Sequence, residues 1–255
     1  MIPALFAIFG VIFGSFANVV ILRDDRRSSI LTGRSECPHC HHILQWYELI
    51  PVLSYFAQGG KCRSCHKKIS MQYPLVEIAM GVLFFFAATL TGNIGIALCF
   101  AFSFFFFFCA CVIDLRTQLI PVEYVLIGGG LAVLAQVLLK TTALNILIGV
   151  VVGGGVLAIV KYGWLLLMRQ DGMGEGDLWL GAALGALCPY PSIFVTLVAA
   201  IFAGAIFGVV FTVIKKRSWE SAIPFGPFLF MGALLALLWG NQLISWYTSM
   251  SGITF

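Results

Sequence analysis

Charge is what this sequence has least of. Only 10% of its 255 residues are Asp, Glu, Lys or Arg, where a soluble domain carries about 25%. With 60% hydrophobic residues beside them, there are too few polar side chains to clothe a water-facing surface. An ordinary soluble domain is excluded, and membrane lipid must be the solvent for much of the chain. No basic residue precedes the first apolar run, 2–22, and no small-residue cleavage site follows it. A signal peptide is therefore not expected, and the run reads as a retained helix. A lipidation box is also lacking, as is any convincing internal repeat. The net charge of +4 is explained by where the charges sit, so no nucleic acid partner is expected.

What the chain has is a series of apolar runs. They lie at about 2–22, 74–91, 94–113, 121–139, 143–168, 191–214 and 226–247, with a shorter one at about 178–188. A helix needs about 20 apolar residues to cross a bilayer, and backbone groups in hydrocarbon must bond within the segment. The expectation is an all-α polytopic integral membrane protein of about eight transmembrane helices. The phenylalanine run Phe104–Phe108 reads as a lipid-facing stripe. Glycine triplets at 128–130 and 153–155 lie inside apolar runs, where close helix packing or kinking is their expected role.

With eight crossings both termini share one side. The loops on the other side are 23–73, 114–120, 169–177 and 215–225. They and their flanks hold 14 of the 15 Lys and Arg residues, Lys140 being the exception. Lys and Arg stay on the cytoplasmic side, so these loops face the cytoplasm. Seven crossings would put Lys215, Lys216 and Arg217 on the wrong face. Three parts follow: a first helix (1–22), a small cytoplasmic loop (23–73) and a seven-helix core (74–255).

The loop carries Cys37-Pro-His-Cys40 and Cys62-Arg-Ser-Cys65, two CxxC pairs separated by 21 residues. Two thiolates in one tight turn can grip one side of a tetrahedral metal, and two such turns close the site. The cytoplasm disfavours disulfides, and so short a segment needs a metal to fold. Cys37, Cys40, Cys62 and Cys65 are expected to hold a structural Zn2+, with no open position for catalysis. Redox-active or incidental thiols are the alternative. All four histidines (His39, His41, His42 and His66) sit in or beside these turns and are not needed as ligands. The remaining cysteines read as small buried side chains.

Carboxylates at membrane depth are costly and mark functional sites. Asp114 ends the phenylalanine-rich run. Asp177 closes Gly172-Met-Gly174-Glu-Gly176-Asp177. Both fall at the cytoplasmic border. Two carboxylates brought close in a partly dry site cannot both ionise easily, so one keeps a proton while the other acts as a base. Such a pair can activate water against a peptide carbonyl. Gly174 and Gly176 would let the backbone leave helical geometry and a substrate strand approach. The structural alternative is that each aspartate caps a helix or pairs with a basic neighbour. Glu77, after Tyr73-Pro74, is a third carboxylate that could orient a partner or bind a substrate amine. Asp171, Glu123 and Glu175 read as solvated interface charges.

Several motifs, in order along nearly the whole chain, resemble the bacterial type IV prepilin peptidases, the bifunctional leader peptidase and N-methyltransferase family. They are Gly14-Ser15-Phe16-Ala17-Asn18-Val19-Val20-Ile21-Leu22-Arg23, the tetracysteine loop followed by Tyr73-Pro74-Leu75-Val76-Glu77, and Asp114 with Ile120-Pro121. Gly174-Glu175-Gly176-Asp177, a GxGD motif, and Pro224-Phe225-Gly226-Pro227 complete the set. The resemblance implies a multi-pass protein of the bacterial cytoplasmic (inner) membrane and an aspartyl protease with Asp114 and Asp177 as its catalytic pair. Its substrates would be prepilin and pseudopilin precursors. It would then methylate the new N-terminal amine from S-adenosylmethionine. Two positions depart from the family pattern. Trp179 stands where lysine is common two residues past the GxGD aspartate, and Val122 follows Ile120-Pro121 where Asp or Asn is common. No glycine pattern here suggests a nucleotide-binding turn for the methyl donor. Alternative readings are a peptidase without methyltransferase activity, a proton-coupled transporter, and a zinc-dependent membrane sensor.

Overall fold

The computed structural model describes residues 1–24, 35–170, 172–215 and 224–251. Of the charges placed above, Arg26, Arg27, Arg34, Asp171, Lys216 and Arg217 lie outside the described residues, as do the side chains of Arg23 and Lys215. Among the described residues there are nine α-helices, and the eight expected crossings each coincide with one. They are α1 (Ile2–Asp24), α3 (Gln72–Thr89), α4 (Ile94–Thr117), α5 (Val122–Leu138), α6 (Ala143–Met168), α7 (Glu175–Leu187), α8 (Ser192–Lys215) and α9 (Gly226–Ser251). The ninth, α2 (Leu53–Ala57), and a 3₁₀ turn at Trp46–Glu48 lie in the loop. Both are too short to leave a periodic trace in sequence.

Six of the helices are long and apolar enough to cross a membrane. At 1.5 Å per residue, α5 reaches about 26 Å and α7 about 20 Å, short of a hydrocarbon core of about 30 Å. The deficit at α7 is met by protein. Leu180, Gly181, Leu184, Gly185, Ala186 and Leu187 are all buried, and the Leu187 carbonyl accepts Nε2 of Gln136 on α5 at 2.9 Å.

The chain divides into two compact units, Met1–Phe105 and Phe106–Phe255, with the boundary inside α4. In the first unit α1 lies along α3 at backbone contact. A Cβ on Gly14 would fall 2.5 Å from Glu77 Cα, and one on Gly10 would fall 2.9 Å from Gly81 Cα. Two glycines four apart clear one stripe of a helix for such an approach.

In the second unit α6 and α7 run antiparallel and meet through paired glycines. Gly149 faces Gly185 and Gly153 faces Gly181, each with the partner's carbonyl where a Cβ would stand. Gly154 lies against Ala182 while Gly155 faces open space, so the triplet serves packing through two of its members. Gly129 of α5 lies 3.0 Å from the Ala183 methyl of α7 on the same Cβ test, and Gly232 of α9 backs onto Ala200 of α8 at 3.1 Å.

The phenylalanine run is not a lipid-facing stripe. Phe104 and Phe107 are 0% exposed and Phe105 is buried too. Five successive residues wrap around more than one turn, so they cannot all share a lipid face. With 67% of its apolar window buried, the most of the six spans, α4 turns most of them inward. Phe104 stacks on Phe86 at 5.9 Å, and Phe107 meets Phe230 at 6.2 Å.

Candidate active site and metal centre

In the first unit the two CxxC segments form matching turns. The His41 N–H donates to the Cys37 carbonyl and the His66 N–H to that of Cys62, both at 2.9 Å. His41 and His66 share a left-handed φ of 56°. Each turn is closed by an antiparallel bridge, Glu36 with Ile43 and Lys61 with Lys68. The four Sγ atoms lie within 4.8 Å of one another. Backbone N–H groups of His39 and Cys40 face the Cys37 sulfur and draw its pKa down to about 7. Those of Cys65 and Ser64 lower that of Cys62 in the same way. Thiolate is the form that binds metal, so the first cysteine of each turn is prepared for one. The histidines stay outside the cluster: His41 meets Glu36 at 3.3 Å and His42 meets the buried Glu48 at 3.2 Å.

Glu77 is in the same unit. Its Oε2 accepts the Val52 N–H at 2.6 Å, and the Ser15 side chain also bonds to it. Val52 has φ 62°, an uncommon conformation for a β-branched residue, and it opens α2. Glu77 thus ties the tip of the cysteine loop to α3. Beside it the buried Asn18 donates from Nδ2 to the Tyr73 carbonyl at 3.1 Å.

The two aspartates belong to the second unit. Asp114, on the last turns of α4, is 4% exposed, and Asp177 is 8% exposed. Oδ2 of Asp114 accepts the Gly226 N–H at 3.2 Å, so its carboxylate sits on the N-terminus of α9, where the helix dipole favours negative charge. Asp177 is the third residue of α7 and accepts the N–H of Gly174, the residue that caps that helix. This is one half of a capping box. Both aspartates therefore cap helices, as the structural alternative held, yet they also come together. Asp177 lies within electrostatic reach of Asp114, and both bear on Cys111. Oδ1 of Asp177 is buried without a hydrogen-bond partner, an acceptor left open for a ligand or water.

The GxGD glycines have distinct surroundings. Gly174 has extended backbone, φ −65° and ψ 152°. A Cβ on Gly176 would fall 2.6 Å from Ile120 Cβ, and one on Gly226 would fall 2.9 Å from Asp114 Oδ2 and 3.2 Å from Ile120 Cδ1. Ile120, Gly176 and Gly226 thus bring the ends of α4, α7 and α9 onto one small centre.

Lys161 of α6, counted in the sequence only among the charges flanking loop 169–177, belongs to this neighbourhood, with its Nζ 3.9 Å from Glu175 Oε1. It is 6% exposed and acts electrostatically on Asp177. The signal that finds it is a lysine within the run 143–168, since an ionisable residue inside an apolar segment is a site hypothesis by default.

Residues 8–91 match the Bacterial Peptidase A24 N-terminal domain, and residues 100–209 match the Type IV leader peptidase family. A prepilin leader peptidase/N-methyltransferase of Aeromonas salmonicida (strain A449) is 34% identical over 275 residues, covering 96% of this chain and 94% of that protein. One of Burkholderia pseudomallei (strain K96243) is 34% identical over 92% of this chain and 84% of its own. One of Pseudomonas aeruginosa is 31% identical over 96% and 93%. No solved structure matches the chain. Matched from its N-terminal loop to its GxGD helix, and similar at these levels to leader peptidases over nearly its whole length, the chain belongs to the type IV leader peptidase family.

Proposed function

We propose that this chain cleaves the leader from prepilin and pseudopilin precursors, with Asp114 and Asp177 as the catalytic pair, and then N-methylates the new N-terminus. The observation that carries the reading is the buried aspartate pair, one member with an open acceptor oxygen, in a chain whose relatives are named as leader peptidases and methyltransferases. The one-sided distribution of Lys and Arg supports a pair facing the cytoplasmic border of the inner membrane. The substrate's leader would lie on that side and its apolar helix in the bilayer.

The chemistry follows from two carboxyl groups sharing a dry site. The ionised carboxylate takes a proton from water as the water oxygen bonds to the scissile carbonyl carbon. The protonated partner hydrogen-bonds the carbonyl oxygen as charge develops there. A proton then passes to the departing amide nitrogen, the C–N bond breaks, and a carboxylic acid and a free amine remain. Methylation would replace a proton on that amine with the methyl group of S-adenosylmethionine, which would leave as S-adenosylhomocysteine. No strand precedes a helix among the described residues, so a Rossmann-type cradle for this donor is excluded there.

Cys37, Cys40, Cys62 and Cys65 would hold zinc as a closed structural site. At a Zn–S distance of 2.3 Å a tetrahedron has sulfur–sulfur edges of about 3.8 Å, and Cys37–Cys65 and Cys40–Cys62 each stand 3.9 Å apart.

Purified protein incubated with a prepilin tests the assignment. Asp114→Asn and Asp177→Asn should each reduce cleavage at least about 10³-fold while the protein remains folded and metal-loaded. Cleavage retained by either variant would overturn the pair. The mass of the processed pilin, with S-adenosylmethionine present, tests methylation separately.

A further inference from the structure

The cysteine loop turns apolar side chains outward, and it does so at a level that the first unit itself marks. Helices α1 and α3 pair in one antiparallel register. Gly10 lies against Gly81 and Gly14 against Glu77, and Asn18 donates to the Tyr73 carbonyl. That register sets Phe16 level with Leu75. Phe16 is the last exposed large apolar residue of α1, and Leu75 is the first of α3. Ile8 and Ile12 continue the exposed stripe on one helix, Ile78 and Val82 on the other. On helices that span a membrane such stripes face lipid, so the hydrocarbon ends near the level of Phe16 and Leu75.

The loop is held at that level. Glu77 lies about 3 Å past Leu75 along α3, its side chain leaning back toward the helix N-terminus, and it accepts the Val52 N–H. Helix α2 starts at the next residue. Leu53, Phe56 and Ala57 are spaced to share one face of it, and all three are exposed, Leu53 by 69% and Phe56 by 64%. Tyr55 turns the other way, its hydroxyl donating to the Ile69 carbonyl at 3.5 Å. A helix bathed in water buries its apolar face; this one presents it. Just before α2, Trp46 is 76% exposed and meets the exposed Tyr47 edge-on, and the Arg63 guanidinium lies 5.0 Å over the Tyr47 ring.

Charge points the same way. Lys61, Arg63, Lys67 and Lys68 are all exposed on the second cysteine turn. Of the two acids described in the loop, Glu48 is buried against His42 and Glu36 meets His41. An apolar face at the hydrocarbon border, a Trp–Tyr pair suited to headgroup level and a surplus of cations fit one partner, the surface of an anionic bilayer.

We infer that residues 46–57 dock on the membrane surface. Leu53 and Phe56 enter the headgroup–acyl border, Trp46 and Tyr47 lie among the headgroups, and Arg63 with its neighbouring lysines attracts lipid phosphates. The cysteine turns are then pinned to the bilayer through α2 as well as through Glu77. The inference rests on the chain spanning a membrane and is independent of the aspartate pair.

Photocrosslinking of the full-length protein in vesicles of phosphatidylethanolamine and phosphatidylglycerol tests it. With photoreactive benzoylphenylalanine in place of Leu53 or Phe56, illumination should attach a phospholipid to that peptide, read by mass. In place of Tyr55, on the opposite face of α2, the same group should give severalfold less lipid adduct. Phosphatidylglycerol should be enriched among the adducts about fivefold over its share of the vesicle, as one cation near the surface implies. No lipid adduct at Phe56, or equal adducts at Phe56 and Tyr55, overturns the docking. Adducts in the bulk lipid ratio refute the anionic preference. Adducts at Phe56 to an added prepilin in place of lipid make the face a protein surface and also overturn it. If the photoreactive variants do not fold, the fluorescence of wild type less that of Trp46→Phe decides. That difference should be quenched by bromine on the upper acyl chain of the lipid; quenching by aqueous iodide alone refutes the inference.

Discussion

A side chain on Gly176 would run into Ile120 Cβ at 2.6 Å, and one on Gly226 would meet Asp114 Oδ2 at 2.9 Å and crowd Ile120 Cδ1 at 3.2 Å. The glycine of the GxGD motif is thus a packing requirement as much as a conformational one. Its backbone needs no left-handed φ; it needs contact with Ile120. Gly176→Ala should push α7 off Ile120 and displace Asp177, lowering kcat/KM for prepilin cleavage about tenfold or more, since overpacking costs about 1–3 kcal/mol. Gly155→Ala, at a position with nothing around it, should leave cleavage unchanged in the same assay. Single residues were legible in the sequence to the extent that their chemistry is rare in an apolar setting. Asp114, Asp177, Glu77 and the CxxC pairs announced themselves that way. Lys161 obeyed the same rule but was counted only among the charges flanking a loop.

At the scale of elements, apolar run length found all eight long helices, because the hydrocarbon core imposes length and hydrophobicity directly on sequence. It did not find which helices touch. The α6–α7 seam and the α1–α3 seam rest on glycines four apart, and these are visible only as spacing until a partner spacing meets them. Gly153→Ala and Gly185→Ala each put a methyl group into a facing backbone carbonyl. Each should lower the thermal midpoint in detergent by several degrees, as about 1–3 kcal/mol of overpacking implies. Gly130→Ala, in open space, should not shift the same melting curve. The loop has its own seam at Glu77 and Val52. Removing the charged acceptor by Glu77→Gln should weaken this hydrogen bond by about 1–2 kcal/mol. Hydrogen exchange at the Val52 amide should then quicken about tenfold, while amides deep in α4 keep their protection.

For the whole molecule, the cysteine turns and the helical units depend on different forces. The helices are held by internal backbone bonds and by packing; the loop, on the proposed zinc site, would be held by its ligands. Metal analysis should find one zinc per chain, and Cys37→Ser should lose it. Chelation should change fluorescence from Trp46 and Tyr47 beside the turns, while far-UV circular dichroism from the long helices persists. Unchanged zinc content in Cys37→Ser would refute the four-thiolate site.

The sequence by itself determined what one-dimensional physics controls: a membrane chain of about eight helices, the two CxxC turns, and the rarity of Asp114 and Asp177. Only the tertiary structure decided that Phe104, Phe105 and Phe107 turn inward, that Glu77 holds the loop through Val52, and that Asp114 caps α9 while Asp177 caps its own helix. The reason is that transfer into lipid is a property of each segment. Which glycine faces which carbonyl, and which cation meets which carboxylate, are properties of pairs far apart in the chain.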